Sequence, residues 1–163
     1  MKTIFVDRDG CVNTRLVGDW VRSWDAFDFM NGAIEGIAKL KKAGYRLVLI
    51  TNQRCIALGS LTRDELDAIH DKMQDELKIA GGFFDSIYVC PHDNHDNCHC
   101  RKPAPGMITD AARDYGDIDL SASIMLGDRD IDRQAAESAG CGGFHMISDD
   151  FTINDAAEAI LSS

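Results

Sequence analysis

The stretch TIFVDRDG, residues 3–10, decides the fold. After Thr3 its first half is a continuous apolar run of three residues, which is typical of a short strand buried on both faces. Asp7 and Asp9 follow directly, and carboxylates at the end of a buried strand are unfavourable unless they are paired or bind a metal ion. Gly10 also allows a simpler interpretation, in which the strand ends in an ordinary turn with a positive φ. The stretch therefore predicts a buried strand followed by either a metal-binding turn or a plain one.

Strand and helix patterns alternate along the rest of the chain. Short apolar segments predict four more strands, at residues 45–51, 84–90, 123–128 and 143–147. Amphipathic periodicity predicts helices at residues 31–44, 61–82, 105–116, 130–140 and 153–162. Asn31 is the expected N-cap of the first helix, and Thr62 with Glu65 forms a capping box at the second. The alternation predicts an α/β fold: a Rossmann-like, doubly wound parallel sheet of about five strands with helices on both faces.

Size and charge narrow the class of protein. The chain has 163 residues, which suits a single domain spanning 1–163 with a full hydrophobic core. Its formal net charge of -10 argues against non-specific binding to nucleic acid or anionic membranes. No apolar run approaches the roughly 20 residues that span a bilayer, and the start does not have the pattern of a signal peptide. We expect a cytoplasmic monomer that acts on a small molecule, with no nucleic-acid or membrane partner.

Polar residues follow several of the predicted strands. Asp7, Thr51 with Asn52, and Asp128 each stand at the end of a strand, and Lys102 comes after the third strand. Carboxyl ends of parallel strands meet at one edge of the sheet, where ligands bind. Two acidic strand ends favour a hard cation such as Mg²⁺, and a lysine beside them would balance the charge of an anionic substrate. Each residue alone has an ordinary explanation as a strand end, a turn or a surface lysine, but the set favours phosphoryl transfer.

The segment CPHDNHDNCHC, residues 90–100, predicts a second metal site. Cys90, His92, Cys98 and Cys100 supply three thiolates and one imidazole, which suits a closed, structural zinc site. The alternative is a flexible polar loop with incidental cysteines. A disulfide between Cys98 and Cys100 is disfavoured by strain. The two other histidines of this segment, His95 and His99, are not needed as ligands. The three cysteines elsewhere in the chain are expected to be packing residues: Cys11, Cys55 and Cys141.

Several motifs together resemble the haloacid dehalogenase superfamily of phosphatases. They are DRDG (7–10), TNQ (51–53), RKPAPGM (101–107) and GDRDID (127–132), spread over nearly the whole chain. With the histidine–cysteine loop they are similar to a small branch without a large cap domain, which contains heptose bisphosphate and histidinol-phosphate phosphatases. The resemblance identifies Cys90, His92, Cys98 and Cys100 as ligands of a structural Zn²⁺ that shapes the loop leading to Lys102.

The resemblance also implies catalytic roles. Asp7 would be the nucleophile that forms an aspartyl phosphate, and Asp9 the general acid and then the base. Asp7, Asp128 and the backbone carbonyl of Asp9 would bind Mg²⁺, while Thr51 and Lys102 would hold the transferring phosphoryl group. Three further residues match positions near the substrate or phosphate: Asn52, Arg101 and Arg129. Asp132 would support the metal ion through its bound waters.

The substrate is expected to be a phosphorylated sugar, with heptose 1,7-bisphosphate favoured. Residues 18–32 and RKPAPGM resemble the heptose enzymes, whereas the five-residue gap between His92 and Cys98 resembles the histidinol-phosphate enzymes. Where heptose enzymes read TNQSGIARG, this chain has Arg54 and Leu58, so Arg54 is the candidate contact to a second phosphate. Histidinol phosphate is the alternative substrate, and a non-catalytic, zinc-stabilised binding protein is the alternative from another class. Trp20 and Trp24 would either line the substrate pocket or anchor the loop.

Overall fold

The strand predicted at the N-terminus forms the centre of a five-stranded sheet. The computed structural model describes all residues from 1 to 163. Every strand pair is parallel, in the spatial order β3-β2-β1-β4-β5. All five predicted strands are confirmed, with ends shifted by at most two residues: β1 Thr3–Asp7, β2 Arg46–Asn52, β3 Ser86–Cys90, β4 Ile124–Gly127 and β5 Gly143–Met146.

The five predicted helices are confirmed, and three shorter helical segments were missed. The six α-helices are α1 Ala33–Lys42, α2 Arg54–Ala57, α3 Arg63–Ile79, α4 Gly106–Tyr115, α5 Asp130–Ala139 and α6 Ile153–Leu161. Two 3₁₀ turns lie at Trp24–Ala26 and Leu120–Ala122. These turns and α2 have three or four residues each, too few to show a helical period. No helix is both long and apolar enough to cross a membrane.

Local sequence predicted the N-terminal cap of α3 correctly but not that of α1. The capping box of α3 is confirmed, since Glu65 donates its backbone N–H to Thr62 Oγ1 at 3.1 Å and receives the N–H of Thr62 at 2.9 Å. The assignment of Asn31 as an N-cap is wrong, because α1 starts after Gly32, which has a φ of 76°. A Cβ at Gly32 would lie 2.5 Å from Thr152 Oγ1. The start of α1 is therefore set by its packing against the start of α6.

The sheet buries apolar side chains on both faces. Ile4 and Val6 of β1 join a large cluster with residues of α1, α3 and α6, whereas Phe5 joins a smaller cluster with residues of α4 and α5. Because neighbouring side chains of a strand point to opposite faces, the continuous apolar run of β1 serves both clusters. The doubly covered sheet leaves its carboxyl edge as the place where polar side chains converge.

Gly36 tests the contact between α1 and α6. A Cβ at this position would lie 2.5 Å from the backbone carbon of Ile153. We expect Gly36→Ala to lower the free energy of unfolding by about 1–3 kcal/mol through overpacking, although alanine normally favours a helix by about 1 kcal/mol. Urea denaturation measures the change. Glu35→Ala, at an exposed position of the same helix, is the control and should change stability by less than about 0.5 kcal/mol. A more stable Gly36→Ala variant would contradict the close approach.

Candidate active site

A cleft of about 210 Å³ lies at the carboxyl edge of the sheet. Five cationic and three acidic side chains line it, so it is locally basic in a chain with a formal charge of -10. Seven residues that the sequence predicts for the site line this cleft: Asp7, Asp9, Asn52, Arg54, Arg101, Lys102 and Arg129. Thr51 is fully buried and Asp128 is partly buried, and neither lines the cleft. Sequence reasoning therefore located the edge, but not which side chains face solvent there.

Lys102 is held between two buried carboxylates. Its Nζ donates to Asp7 Oδ1 at 2.6 Å and to Asp132 Oδ1 at 2.7 Å. The second oxygen of Asp132 accepts the backbone N–H groups of Asp128 and Arg129 at 3.1 and 3.0 Å. Both oxygens of Asp132 thus accept hydrogen bonds within the protein, and these contacts hold Lys102; its support of a metal ion through bound waters stays a prediction.

Asn52 fixes the backbone of Lys102. Its side-chain amide donates to the Lys102 carbonyl at 3.2 Å and accepts the Lys102 N–H at 3.1 Å. The end of β2 is thereby tied to the segment that carries the lysine. Asn52 lines the cleft, as the substrate prediction requires, but the contacts that it makes position Lys102.

Burial and charge set the protonation of this pair. Burial raises the pKa of Asp7 to about 7; Lys102 opposes the rise, and Asp132 and Asp128 add to it. For Lys102, burial favours the neutral amine, but Asp7 and Asp132 outweigh burial and raise its pKa above the ordinary value. Lys102 is therefore a cation, and Asp7 needs a further positive charge nearby to be fully ionised at neutral pH.

Asp9 has the opposite environment. Its Oδ1 accepts from Arg8 Nη2 at 2.9 Å and from Asn13 Nδ2 at 3.0 Å, and its Oδ2 accepts from Gln53 Nε2 at 3.0 Å. Burial acts to raise the pKa of Asp9, but the charge of Arg8 and these hydrogen bonds lower it below the ordinary value. Asp9 is consequently a carboxylate before substrate arrives. Sequence reasoning missed all three partners, although Gln53 lies within the TNQ motif.

Arg8 is itself supported from α3. Its side chain is fully buried, and its Nη1 lies 3.1 Å from His70 Nε2. An arginine is always a donor, so this nitrogen of His70 must be the acceptor. Burial, together with the charge of Arg8, lowers the pKa of His70 to about 3. His70 is therefore neutral in the folded protein over the physiological range.

An oxygen cluster at the strand ends has the composition of a hard-cation site. A carboxylate oxygen of Asp7 and one of Asp128 lie within 4.8 Å of each other and of Cys11 Sγ. The backbone carbonyl of Asp9 and both oxygens of Asp128 accept hydrogen bonds from Arg15 Nη2. A Cβ at Gly10 would lie 2.0 Å from Asp128 Oδ2, so the turn must be glycine. Sequence reasoning missed Arg15, which stands outside every motif.

The Cys/His cluster predicted from the sequence comes together and could hold a metal ion. Its four ligand atoms, from Cys90, His92, Cys98 and Cys100, all lie within 4.8 Å of one another. Cys90 Sγ is 3.7 Å from Cys98 Sγ and 3.6 Å from His92 Nδ1. A tetrahedral ion with bonds of about 2.3 Å to sulfur would place two sulfurs about 3.8 Å apart. The separations therefore fit tetrahedral coordination.

The two histidines and three cysteines outside the Cys/His cluster have ordinary structural surroundings. His95 is exposed, and His99 pairs with Asp110 at 2.8 Å. The prediction that the remaining cysteines are packing residues is confirmed, since Cys11 and Cys55 are buried in the large cluster and Cys141 packs against the small one.

The aromatic and basic candidates around the cleft differ in their contacts. Trp20 lines the cleft, whereas Trp24 stacks on Phe27 with ring centroids 5.0 Å apart. Arg54 also lines the cleft, and its Nε donates to Asp93 Oδ1 at 2.5 Å. Arg54 therefore connects α2 to the loop that contains the Cys/His cluster.

Comparison with known proteins identifies the family. The family described as polynucleotide kinase 3 phosphatase matches residues 2–159. The chain belongs to this haloacid dehalogenase-like phosphatase family. The resemblance seen in the motifs is therefore confirmed.

Relatives in this family align with most of the chain. A D-glycero-beta-D-manno-heptose-1,7-bisphosphate 7-phosphatase from Bordetella bronchiseptica is 45% identical over 86% of this chain and 78% of its own length. An enzyme for the alpha anomer from Mycobacterium bovis is 36% identical over 83% of this chain and 71% of its own. A crystal structure of D,D-heptose 1,7-bisphosphate phosphatase from B. bronchiseptica, complexed with magnesium and phosphate, has a TM-score of 0.92 and 37% identity, and covers 99% of each chain.

The neutral state of His70 predicts a dependence of stability on pH. Unfolded His70 binds a proton below its ordinary pKa of 6.5, whereas the folded residue does so only near 3. Unfolding therefore takes up a proton between these values, and the free energy of unfolding should fall as the pH is lowered through this window, at up to about 1.4 kcal/mol per pH unit.

Replacement of His70 should remove this contribution. His70→Gln keeps an acceptor for Arg8 but does not titrate, so its stability should depend less steeply on pH. Urea unfolding at several pH values below neutrality measures the slopes, with exposed His95→Gln as the control that keeps the slope of the unsubstituted protein. Equal slopes for His70→Gln and the unsubstituted protein would show that His70 is not held neutral.

Proposed function

We propose that the protein is a Mg²⁺-dependent phosphatase that removes the 7-phosphate of D-glycero-D-manno-heptose 1,7-bisphosphate. The observation that carries this proposal is the contact of Lys102 Nζ with Asp7 at 2.6 Å, at the edge of a cleft with five cationic side chains. Its relatives by sequence include enzymes for both anomers, and the higher identity to the beta enzyme favours the beta anomer.

Asp7 would act as the nucleophile. A carboxylate oxygen of Asp7 attacks phosphorus, an Asp7–phosphorus bond forms, and the bond from phosphorus to the sugar oxygen breaks. Water then attacks phosphorus, and the aspartyl phosphate releases inorganic phosphate and regenerates the carboxylate. Lys102 balances the charge on the transferring phosphoryl oxygens, and the Thr51 hydroxyl, buried at the end of β2, would donate a hydrogen bond to them.

Mg²⁺ would be held by Asp7, Asp128 and the backbone carbonyl of Asp9. When bound, it supplies positive charge beside the reacting phosphoryl group. The raised pKa of Asp7 supports this assignment, because a second cation next to Lys102 favours the carboxylate that the reaction needs.

Asp9 would transfer protons in both steps. Its lowered pKa suits the second step, in which a carboxylate removes a proton from the attacking water. The first step needs Asp9 to give a proton to the leaving sugar oxygen. The negative charge of an arriving phosphate raises the pKa of a neighbouring carboxyl group, so substrate binding itself would favour proton uptake by Asp9.

The second phosphate of the substrate would bind the arginines of the cleft. Arg101 and Arg129 line it without an ion pair to any carboxylate, and one buried nitrogen of Arg101 has no hydrogen-bond partner. Arg54 lies in the same cleft. Guanidinium groups suit this role because their planar donor array matches phosphate oxygens.

A structural Zn²⁺ would occupy the Cys/His cluster. Three thiolates and one imidazole form a closed tetrahedral set with no open position for water. Cys100 precedes Lys102 by two residues, so a fixed metal site would hold the chain where Arg101 and Lys102 enter the cleft. The ion would then act on catalysis by positioning these residues.

Phosphate release from a substrate panel tests the function. The panel contains both anomers of heptose 1,7-bisphosphate, heptose 7-phosphate, histidinol phosphate and a 3′-phosphorylated oligonucleotide, each with Mg²⁺. We expect kcat/KM for the beta bisphosphate to exceed that for every other member of the panel by about 100-fold, or about 2.7 kcal/mol. Asp7→Asn should abolish release while the variant still binds the bisphosphate, because the amide cannot attack phosphorus.

Each other outcome has a defined meaning. A preference for histidinol phosphate or the oligonucleotide would reject the proposed substrate and keep the phosphatase. Phosphate release by Asp7→Asn would reject the nucleophile. Binding of the bisphosphate without turnover by the unsubstituted protein would favour a binding protein.

Loss of a cluster ligand tests the structural metal. Cys98→Ser removes one thiolate at a partly exposed position, and we expect less than one Zn²⁺ per chain, a lower Tm and a kcat/KM reduced by about 10–100-fold. Elemental analysis, thermal unfolding and kinetics measure these. Cys141→Ser lies outside the cluster and is the control. Unchanged zinc content and activity in Cys98→Ser would contradict the assignment.

A further inference from the structure

Arg15 contacts the oxygens that the proposed function assigns to Mg²⁺. Its Nη2 donates to the Asp9 carbonyl at 3.0 Å and to the two carboxylate oxygens of Asp128 at 3.0 and 2.9 Å. Its Nε donates to Asp128 Oδ2 at 3.2 Å. A single nitrogen of Arg15 therefore lies at the point where oxygens from the ends of β1 and β4 converge.

We propose that Arg15 and Mg²⁺ compete for these oxygens, so that metal binding displaces the guanidinium from Asp9 and Asp128. The inference rests on the proposed function, which supplies the metal ligands. Mg²⁺ takes oxygen ligands at about 2.0–2.1 Å in near-octahedral geometry. A guanidinium nitrogen 3.0 Å from the same oxygens would crowd an ion bound to them, and two cations so close together would repel each other.

The position of Arg15 suits a displaceable group. It lies in the loop between β1 and α1, outside any helix or strand, and its side chain is 35% exposed. A partly exposed ion pair contributes only modestly to stability, so it can open without unfolding the site, and its loss should lower the Tm by a small amount. The pair also neutralises the Asp128 carboxylate, which lies close to Asp7.

Competition lowers the apparent affinity for Mg²⁺. Only the fraction of molecules with Asp128 released from Arg15 can bind the ion, and the apparent Kd rises by the inverse of that fraction. The chain would therefore need more Mg²⁺ for saturation than the same site without an arginine at position 15.

Calorimetric titration with Mg²⁺ tests this directly. We expect Arg15→Gln to bind Mg²⁺ with a Kd about tenfold lower than that of the unsubstituted protein. Arg22→Gln is the matched control, since Arg22 lies in the same loop and pairs only with Asp19 at the surface. It removes the same charge and should leave the Kd within about twofold. Arg15→Lys keeps the charge without the fork and should give an intermediate Kd.

Thermal unfolding adds a readout that is independent of activity. With a chelator present, Arg15→Gln should have a lower Tm than the unsubstituted protein, whereas at saturating Mg²⁺ the two should agree, because Arg15 then no longer contacts Asp128. An unchanged Kd, a weaker Mg²⁺ affinity, or an equal loss of Tm in both conditions would overturn the competition.

Asp128→Asn separates this inference from the proposed function. If Mg²⁺ binding disappears in Asp128→Asn but Arg15→Gln leaves the Kd unchanged, the metal site stands and only the competition is wrong. If Asp128→Asn binds Mg²⁺ as tightly as the unsubstituted protein, or if neither the unsubstituted protein nor Arg15→Gln binds Mg²⁺, the metal site of the proposed function is wrong. The competition is then wrong as well.

Discussion

The ammonium group of Lys102, held between Asp7 and Asp132, is the interaction on which the site depends. Three charged groups that are each no more than 5% exposed would be strongly unfavourable if any one lost its partners, at about 3–5 kcal/mol for a broken buried pair. The three residues come from the end of β1, from α5 and from the segment after the Cys/His cluster. One ammonium group therefore joins three separate parts of the fold, and it can do so only when all three are in place.

The surroundings of Lys102 show how a rigid scaffold supports a flexible side chain. Asn52 binds both backbone polar groups of Lys102, while Asp132 is fixed by two backbone N–H groups at the start of α5. The backbone of Lys102 and its ammonium group are therefore held in place by separate sets of hydrogen bonds. Such preorganisation matters for phosphoryl transfer, in which the protein contributes mainly positioning and electrostatic stabilisation. Arginines along the cleft make it locally basic, although the protein as a whole carries a formal charge of -10.

Much of the fold could be predicted because it depends on local patterns. Short apolar runs predicted every strand, and amphipathic stripes predicted the five longer helices. The rule for parallel sheets then predicted the edge where the polar residues meet. The contacts inside the site could not be predicted in this way. Arg15 meets Asp128 across 113 positions and Arg8 meets His70 across 62, and no periodicity reports such pairs. Asn31 failed as an N-cap for a related reason, since α6, not the local sequence, sets the start of α1.

Trapping of the covalent intermediate tests the central claim that Asp7, with its charge balanced by Lys102, attacks phosphorus. The protein would be mixed with heptose 1,7-bisphosphate and Mg²⁺, quenched in acid during turnover and digested for mass spectrometry. The account predicts a phosphorylated peptide containing residues 3–10, with the phosphate on Asp7, that is absent in Lys102→Met. Phosphate on another residue, or rapid turnover with no phosphorylated peptide at any time, would contradict it.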